Sequence, residues 1–140
     1  AVPRRSDWFQ PAGNEGRVLV WKLGGALPMP ENQKRDRTIP PPPALEITDA
    51  QVAQGKSLYH RDCTYCHGFF AASSFLVPDL RMMSAERHAA FADIVLRGAL
   101  RGNGMPGFEG MLTEQDLVPL RAYIVSEARK AYEKQQAPKN

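Results

Sequence analysis

The five residues Cys63-Thr64-Tyr65-Cys66-His67 concentrate the chain's chemistry. Two thiols three positions apart stand one helical turn from each other, so each can add to a vinyl group on the same edge of a porphyrin. The histidine that follows is then carried beneath the ring to ligate iron. This is the attachment motif of haem c, with Cys63 and Cys66 as covalent anchors and His67 as an axial ligand. Two other chemistries use a Cys-x-x-Cys pair. A thioredoxin-like redox pair asks for a βαβ setting, whereas the flanks here read as helix and glycine-containing loop. A zinc site asks for two further ligands, and the spare histidines, His60 and His88, fit no His-x3–5-His spacing. Both are expected to be surface or locally bonded residues without a catalytic role.

The second axial position decides what such a haem does. A methionine sulfur raises the potential and suits electron transfer, whereas an open position suits a haem enzyme or a gas sensor. Met82, Met83, Met105 and Met111 are the candidates. Met105 sits in Gly102-Asn103-Gly104-Met105-Pro106-Gly107-Phe108, where glycines permit close backbone approach, Pro106 stiffens the turn and Phe108 can pack beside the sulfur. Met105 is therefore the expected ligand, and Met82 and Met83 are expected in core or surface packing. A ligating histidine donates its other ring N–H to a fixed acceptor. Pro78 offers a backbone carbonyl for this, the alternative being that Pro78-Asp79-Leu80 is a plain turn. Leu80, Phe91, Ile94 and Phe108 are expected around the cofactor, and Phe69, Phe70, Leu76, Val77, Leu100 and Leu112 in the pocket or the core.

Helices must hold these groups. Thr48 with Gln51 three residues on has capping-box spacing, and Val52, Gly55, Leu58 and Tyr59 continue as a stripe towards the cysteines. A second helix is expected from Ser84 to near Gly98, with Phe91, Ile94 and Val95 facing inward. Thr113 with Asp116 opens a third, whose stripe is Leu117, Leu120, Tyr123, Ile124 and Ala128 before a charged tail. The stretches 68–83 and 98–112 are too long to pack as bare loops, so a bound group should fill the space between them.

Upstream of residue 44 the text changes. Eight of the twelve prolines lie there, four of them consecutive at Pro40 to Pro43, which favours a stiff extended segment. Residues 27–43 read as a Pro-rich linker or wrapping arm, and residues 17–23, bounded by glycines, as one short strand. A lone strand buries nothing by itself, which hints at a neighbouring sheet. The division expected is an arm over 1–43 and a haem domain over 44–140.

Composition excludes several classes. With 18 basic and 15 acidic side chains the formal net charge is +3, too small and too scattered to argue for nucleic acid. No run reaches the 18 or so apolar residues of a membrane span. Two cysteines cannot build a disulfide framework. Ala1-Val2-Pro3-Arg4-Arg5 leads into polar and aromatic residues, not the apolar stretch of a signal peptide.

These features together resemble the class I cytochromes c over residues 44–140. The likeness rests on Gly55-Lys56-Ser57-Leu58-Tyr59, the attachment motif, Pro78-Asp79-Leu80, the Gly-Met-Pro loop and Leu120-Arg121-Ala122-Tyr123-Ile124. It implies an all-α fold around one covalent haem c, with first and last helices crossing where Gly55 meets Tyr123, and His67 and Met105 as axial pair. Ile94-Val95-Leu96-Arg97-Gly98-Ala99 followed by the Met105 loop is similar to the C-terminal haem domain of quinohaemoprotein alcohol dehydrogenases, and residues 16–25 with the Pro-rich stretch resemble the end of their propeller. That likeness implies no enzyme activity for the chain alone. It implies electrons received from a pyrroloquinoline quinone (PQQ) dehydrogenase, in the same chain or as a separate subunit. They would leave to a small redox protein or to a membrane oxidase or quinone. Haem c attachment points to the periplasm. A free-standing cytochrome c unrelated to quinoproteins is the alternative.

Overall fold

The computed structural model describes residue 20, residues 22–26, residue 28, residues 36–73 and residues 77–138. They form helices α1 (Asp49–Asp62), α2 (Thr64–His67), α3 (Ala85–Ala89), α4 (Phe91–Val95) and α5 (Glu114–Gln136), with single 3-10 turns at Phe69–Ala71, Leu80–Met82 and Arg101–Asn103. No β-sheet occurs among the described residues. Of the strand expected over 17–23, most lies outside the described residues. Its described end is a turn, closed by Gly25 N–H donating to the Lys22 carbonyl at 2.9 Å.

Both long helices start where their caps predict. Gln51 N–H donates to Thr48 Oγ1 (3.2 Å) while Thr48 N–H donates to Gln51 Oε1 (2.9 Å). At α5, Thr113 N–H and Oγ1–H both donate to the Asp116 carboxylate, at 2.8 and 2.7 Å. α1 and α5 cross, and the crossing is built on a glycine. A methyl group at Gly55 would overlap the Pro119 carbonyl oxygen and lie 3.0 Å from Tyr123 Cβ, so only hydrogen lets the backbones touch. Beside it the Tyr59 and Tyr123 rings pack in a tilted arrangement, centroids 5.0 Å apart and both buried, and Tyr59 Oη–H donates to the Gly68 carbonyl at 2.8 Å. Leu117, Leu120 and Ile124 of α5, Phe91 and Val95 of α4, and Leu112 complete the core.

Two expectations change. The helix expected over 84–98 is two helices, α3 and α4, broken at Ala90 (φ −86°, ψ 13°), which rotates the face carrying Phe91, Ile94 and Val95 relative to α3. α5 also runs on to Gln136 instead of giving way to a tail after Ala128. Its last turns carry the arm. Ile39 is buried, its N–H bonded to Gln135 Oε1 (2.8 Å) and its carbonyl to Gln135 Nε2 (3.2 Å). Arg129 Nη2 donates to the carbonyls of Pro43 (3.3 Å) and Leu45. Prolines 40–43 have no N–H to give, so side-chain donors from the helix satisfy the carbonyls instead.

Candidate haem-binding site

On the other side of α5 the helices leave a cleft of about 1180 Å³, open solvent at its mouth included, with predominantly apolar walls. α1 ends at Asp62 and hands the chain through Cys63 to α2, so that Cys63, Cys66 and His67 all line this cleft. His67 is 7% exposed, and its Nδ1 lies 3.1 Å from the Pro78 carbonyl. Nδ1–H donates there, which leaves Nε2 as the ring nitrogen available for a metal. Burial lowers the His67 pKa, more than the Pro78 bond raises it, so the imidazole is held in the neutral form that ligates.

Burial, with the Asp62 carboxylate adding, pushes the Cys63 thiol up to about 12. A reactive dithiol needs its thiolate lowered, so this setting opposes a thioredoxin-like pair. Among the described residues no cluster of three or more His, Cys, Asp or Glu side chains could hold a metal ion, which opposes zinc.

The facing wall is the Met105 loop. Gly98 (φ +68°) turns the chain out of α4 and Gly104 (φ +92°) turns it back. Phe108 N–H then donates to the Val95 carbonyl (2.8 Å) and Glu109 N–H to the Leu96 carbonyl (3.2 Å). A methyl group at Gly107 would stand 2.6 Å from the Leu96 oxygen, so glycine is required where the loop returns against α4. This fastening brings Met105 to the cleft, where Pro106 and Phe108 also line it. Pro78, Leu80, Phe91 and Ile94 are lining residues too, as are Val77 and Leu100.

The donor set fits haem c: two thiols on one turn, a neutral imidazole anchored at its far nitrogen, and a thioether on a separate loop around an apolar slot. Such a group, once bound, supplies one-electron redox chemistry at iron.

Some expectations fail. Phe69 and Phe70 are 63% and 59% exposed, outside the pocket and the core. Gly68 (φ +72°), Phe70 (φ 59°) and Ala71 (φ 57°) coil the backbone left-handedly, which buries Ala71 and turns both rings outward, Phe69 edge-on to His60 at 5.9 Å. Leu76 lies outside the described residues. His88, expected at the surface or locally bonded, is 6% exposed with Nδ1 buried and without a hydrogen-bond partner. Met83 and Arg87 line the cleft and were not expected there. Met83 precedes a helix with no periodicity to place it, and an arginine in a helix's last turn reads as solvated.

The family profile described as "Cytochrome C oxidase, cbb3-type, subunit III" matches residues 50–124. Quinohemoprotein alcohol dehydrogenase ADH-IIG of Pseudomonas putida is 36% identical over 112 residues, covering 80% of this chain and 15% of its own length. The dehydrogenase subunit of an alcohol dehydrogenase (quinone) of Gluconobacter oxydans (strain 621H) is 33% identical over 135 residues, covering 94% and 17%. A solved structure of ADHIIG from Pseudomonas putida HK5 superposes with a TM-score of 0.68 at 33% identity, over 80% of this chain and 16% of that one. The chain thus spans less than a fifth of the length of these relatives. It belongs to the cytochrome c family, in the branch found in quinohaemoprotein alcohol dehydrogenases, and its work is electron transfer.

Proposed function

We propose that this chain binds one haem c covalently through Cys63 and Cys66, with His67 and Met105 on the iron, and relays electrons out of a PQQ-dependent alcohol dehydrogenase. The observation that carries this is the meeting, in one apolar cleft, of the two thiols, the Pro78-anchored imidazole and the Met105 loop. Oxidising an alcohol to an aldehyde releases two protons and two electrons. One haem accepts one electron at a time, so it is reduced and reoxidised twice per alcohol. The donor is a quinone-bearing domain or subunit, and the acceptor a small redox protein or a membrane oxidase or quinone. Residues 44–140 are the haem domain and residues 1–43 the arm joining it to the donor. The compartment is the periplasm, where haem c is attached. No described helix is long and apolar enough to cross a membrane. Residues 48–140 carry 11 basic and 10 acidic side chains, and two propionates bring this near neutrality, so docking is weakly steered.

The test is expression with a haem-attachment system, followed by haem staining on a denaturing gel and spectroscopy. The expected result is one covalent haem per chain with a sulfur–iron ligation signature that Met105→Ala abolishes, opening the site to carbon monoxide. A colourless protein with both thiols free overturns the haem assignment. An unchanged signature in Met105→Ala overturns the sixth ligand alone.

A further inference from the structure

Pro78 presents its carbonyl to His67 Nδ1–H across 3.1 Å. The direction of that carbonyl is set by the peptide plane joining Pro78 to Asp79. The proline ring restricts φ but not ψ, so by itself it leaves the carbonyl free to swing. Asp79 removes that freedom from the other side of the plane. Its carbonyl accepts Met82 N–H at 3.1 Å, closing the 3-10 turn Leu80–Met82. Its Oδ1 accepts Arg81 N–H at 3.0 Å and Arg81 Nε–H at 2.9 Å, and its Oδ2 accepts Arg81 Nη2–H at 2.6 Å. Main chain and side chain of Asp79 are thus both tied.

A guanidinium gripping a carboxylate at two points fixes angle as well as distance. Water competes weakly with this fork, because the Asp79 and Arg81 side chains are only 13% and 26% exposed. The bond to Asp79 holds the Arg81 guanidinium above its ordinary pKa, and the Glu127 carboxylate adds to the effect. Glu127 is buried on α5 and bridged by Lys130 at 2.7 Å, and the turn itself packs against α5. Resting on the haem c reading, we propose that Asp79 and Arg81 are positioning residues, whose fork holds the Pro78 carbonyl on His67 and so sets how strongly the imidazole ligates iron. Donation from Nδ1–H to a fixed carbonyl makes Nε2 the better ligand and favours ferric iron.

Exchange of the His67 Nδ1 proton, followed by NMR in the ferrous haem-loaded protein, reads this hold directly. Asp79→Ala combined with Arg81→Ala removes the fork and leaves the net charge unchanged. Exchange should become about tenfold faster while the amide of Val125, buried in α5, keeps its rate. The reduction equilibrium constant should rise about tenfold, 59 mV for a one-electron couple. Asp79→Asn retains an Oδ1 able to accept both bonds now made to that atom, and should keep exchange within about twofold of wild type. Unchanged exchange and potential in the double variant overturn the positioning role and leave the haem reading intact. Faster exchange matched at Val125 overturns it too, since that marks lost stability alone. A wild type without haem overturns both readings. Should the double variant load no haem, Arg81→Lys decides, because it keeps the charge and loses the fork: exchange about threefold faster or more supports the role, and the wild-type rate overturns it.

Discussion

The two faces of α5 are built on opposite plans. Towards α1 and the arm, everything is closed by the polypeptide itself: backbone meets backbone at Gly55 and Pro119, two tyrosine rings pack together, and Gln135 and Arg129 fasten the segment 39–45. Towards α4 and the Met105 loop, the same helix contributes Leu120 and Ile124 to a cleft with no polypeptide filling. The difference separates two sources of order. The crossing depends on contacts written into the chain, whereas the cleft's walls are held in place by glycine turns and backbone hydrogen bonds around a space meant for something else.

The sharpest way to break this contrast is to place the same small change on each side. Gly55→Ala adds one methyl group in a helix, which by intrinsic preference would stabilise by about 1 kcal/mol. Here the methyl overlaps the Pro119 carbonyl oxygen, a backbone atom that no rotamer change can move. Forcing the helices apart also loosens Tyr59 against Tyr123, so a net loss of about 3 kcal/mol or more is expected in urea unfolding of the holoprotein. Gly102→Ala, on the cleft loop with nothing within 4 Å of the added carbon, should change stability by less than about 0.5 kcal/mol. Equal losses at the two sites would erase the distinction.

The same contrast explains what was legible in the sequence. The crossing was legible because its signals are local: capping residues three apart, and a glycine and tyrosines at helical spacing. So was the grouping that lines the cleft, since Cys63, Cys66 and His67 fall within five consecutive residues and Met105 is framed by glycine and proline. Residues that act through chain direction were misplaced. Phe69 and Phe70 are apolar, and composition sends them inward, but three left-handed residues nearby turn them out. The break at Ala90 leaves no mark, since neither glycine nor proline stands there. The extra length of α5 was hidden because its last turns are stabilised from outside, by a proline segment some ninety residues earlier. Arg87 and His88 illustrate the same difficulty: neighbours in sequence, one lines the cleft and the other packs towards Arg121.

His88 gives the next test, because a buried imidazole ties the packing of α3 to pH. Burial first, and the nearby Arg121 cation second, lower its pKa below the ordinary 6.5. Between that ordinary value and the lowered one, the unfolded chain binds a proton that the folded chain does not. Stability is therefore full above about pH 6.5 and is lost as pH falls through that window. His88→Leu removes the titrating ring and its unpartnered Nδ1. Urea unfolding should show the variant near wild type at pH 7.5 and more stable by about 1–2 kcal/mol at pH 5.5. A parallel pH dependence in both proteins would mean that His88 is protonated in the fold without cost.

The smallest effect belongs to the arm, and it tests whether the closed face extends beyond the helix crossing. Gln135 holds Ile39 by a donor and an acceptor at once, an amide pairing with backbone in the manner of a neighbouring strand. Gln135→Ala leaves the Ile39 N–H and carbonyl to water at an already partly open site, so the loss should be about 1 kcal/mol. Global unfolding will register this weakly. Proteolysis will register it clearly, since exposed Arg37 lies two residues before Ile39 and cleavage there needs the segment to lift. If lifting is governed by these two bonds, trypsin should cut after Arg37 about fivefold faster in the variant, while cuts within α1 keep their rate. Equal cleavage at Arg37 would mean that Ile39 burial and Arg129 hold the arm without Gln135, and that the closed face is sealed by packing rather than by the amide.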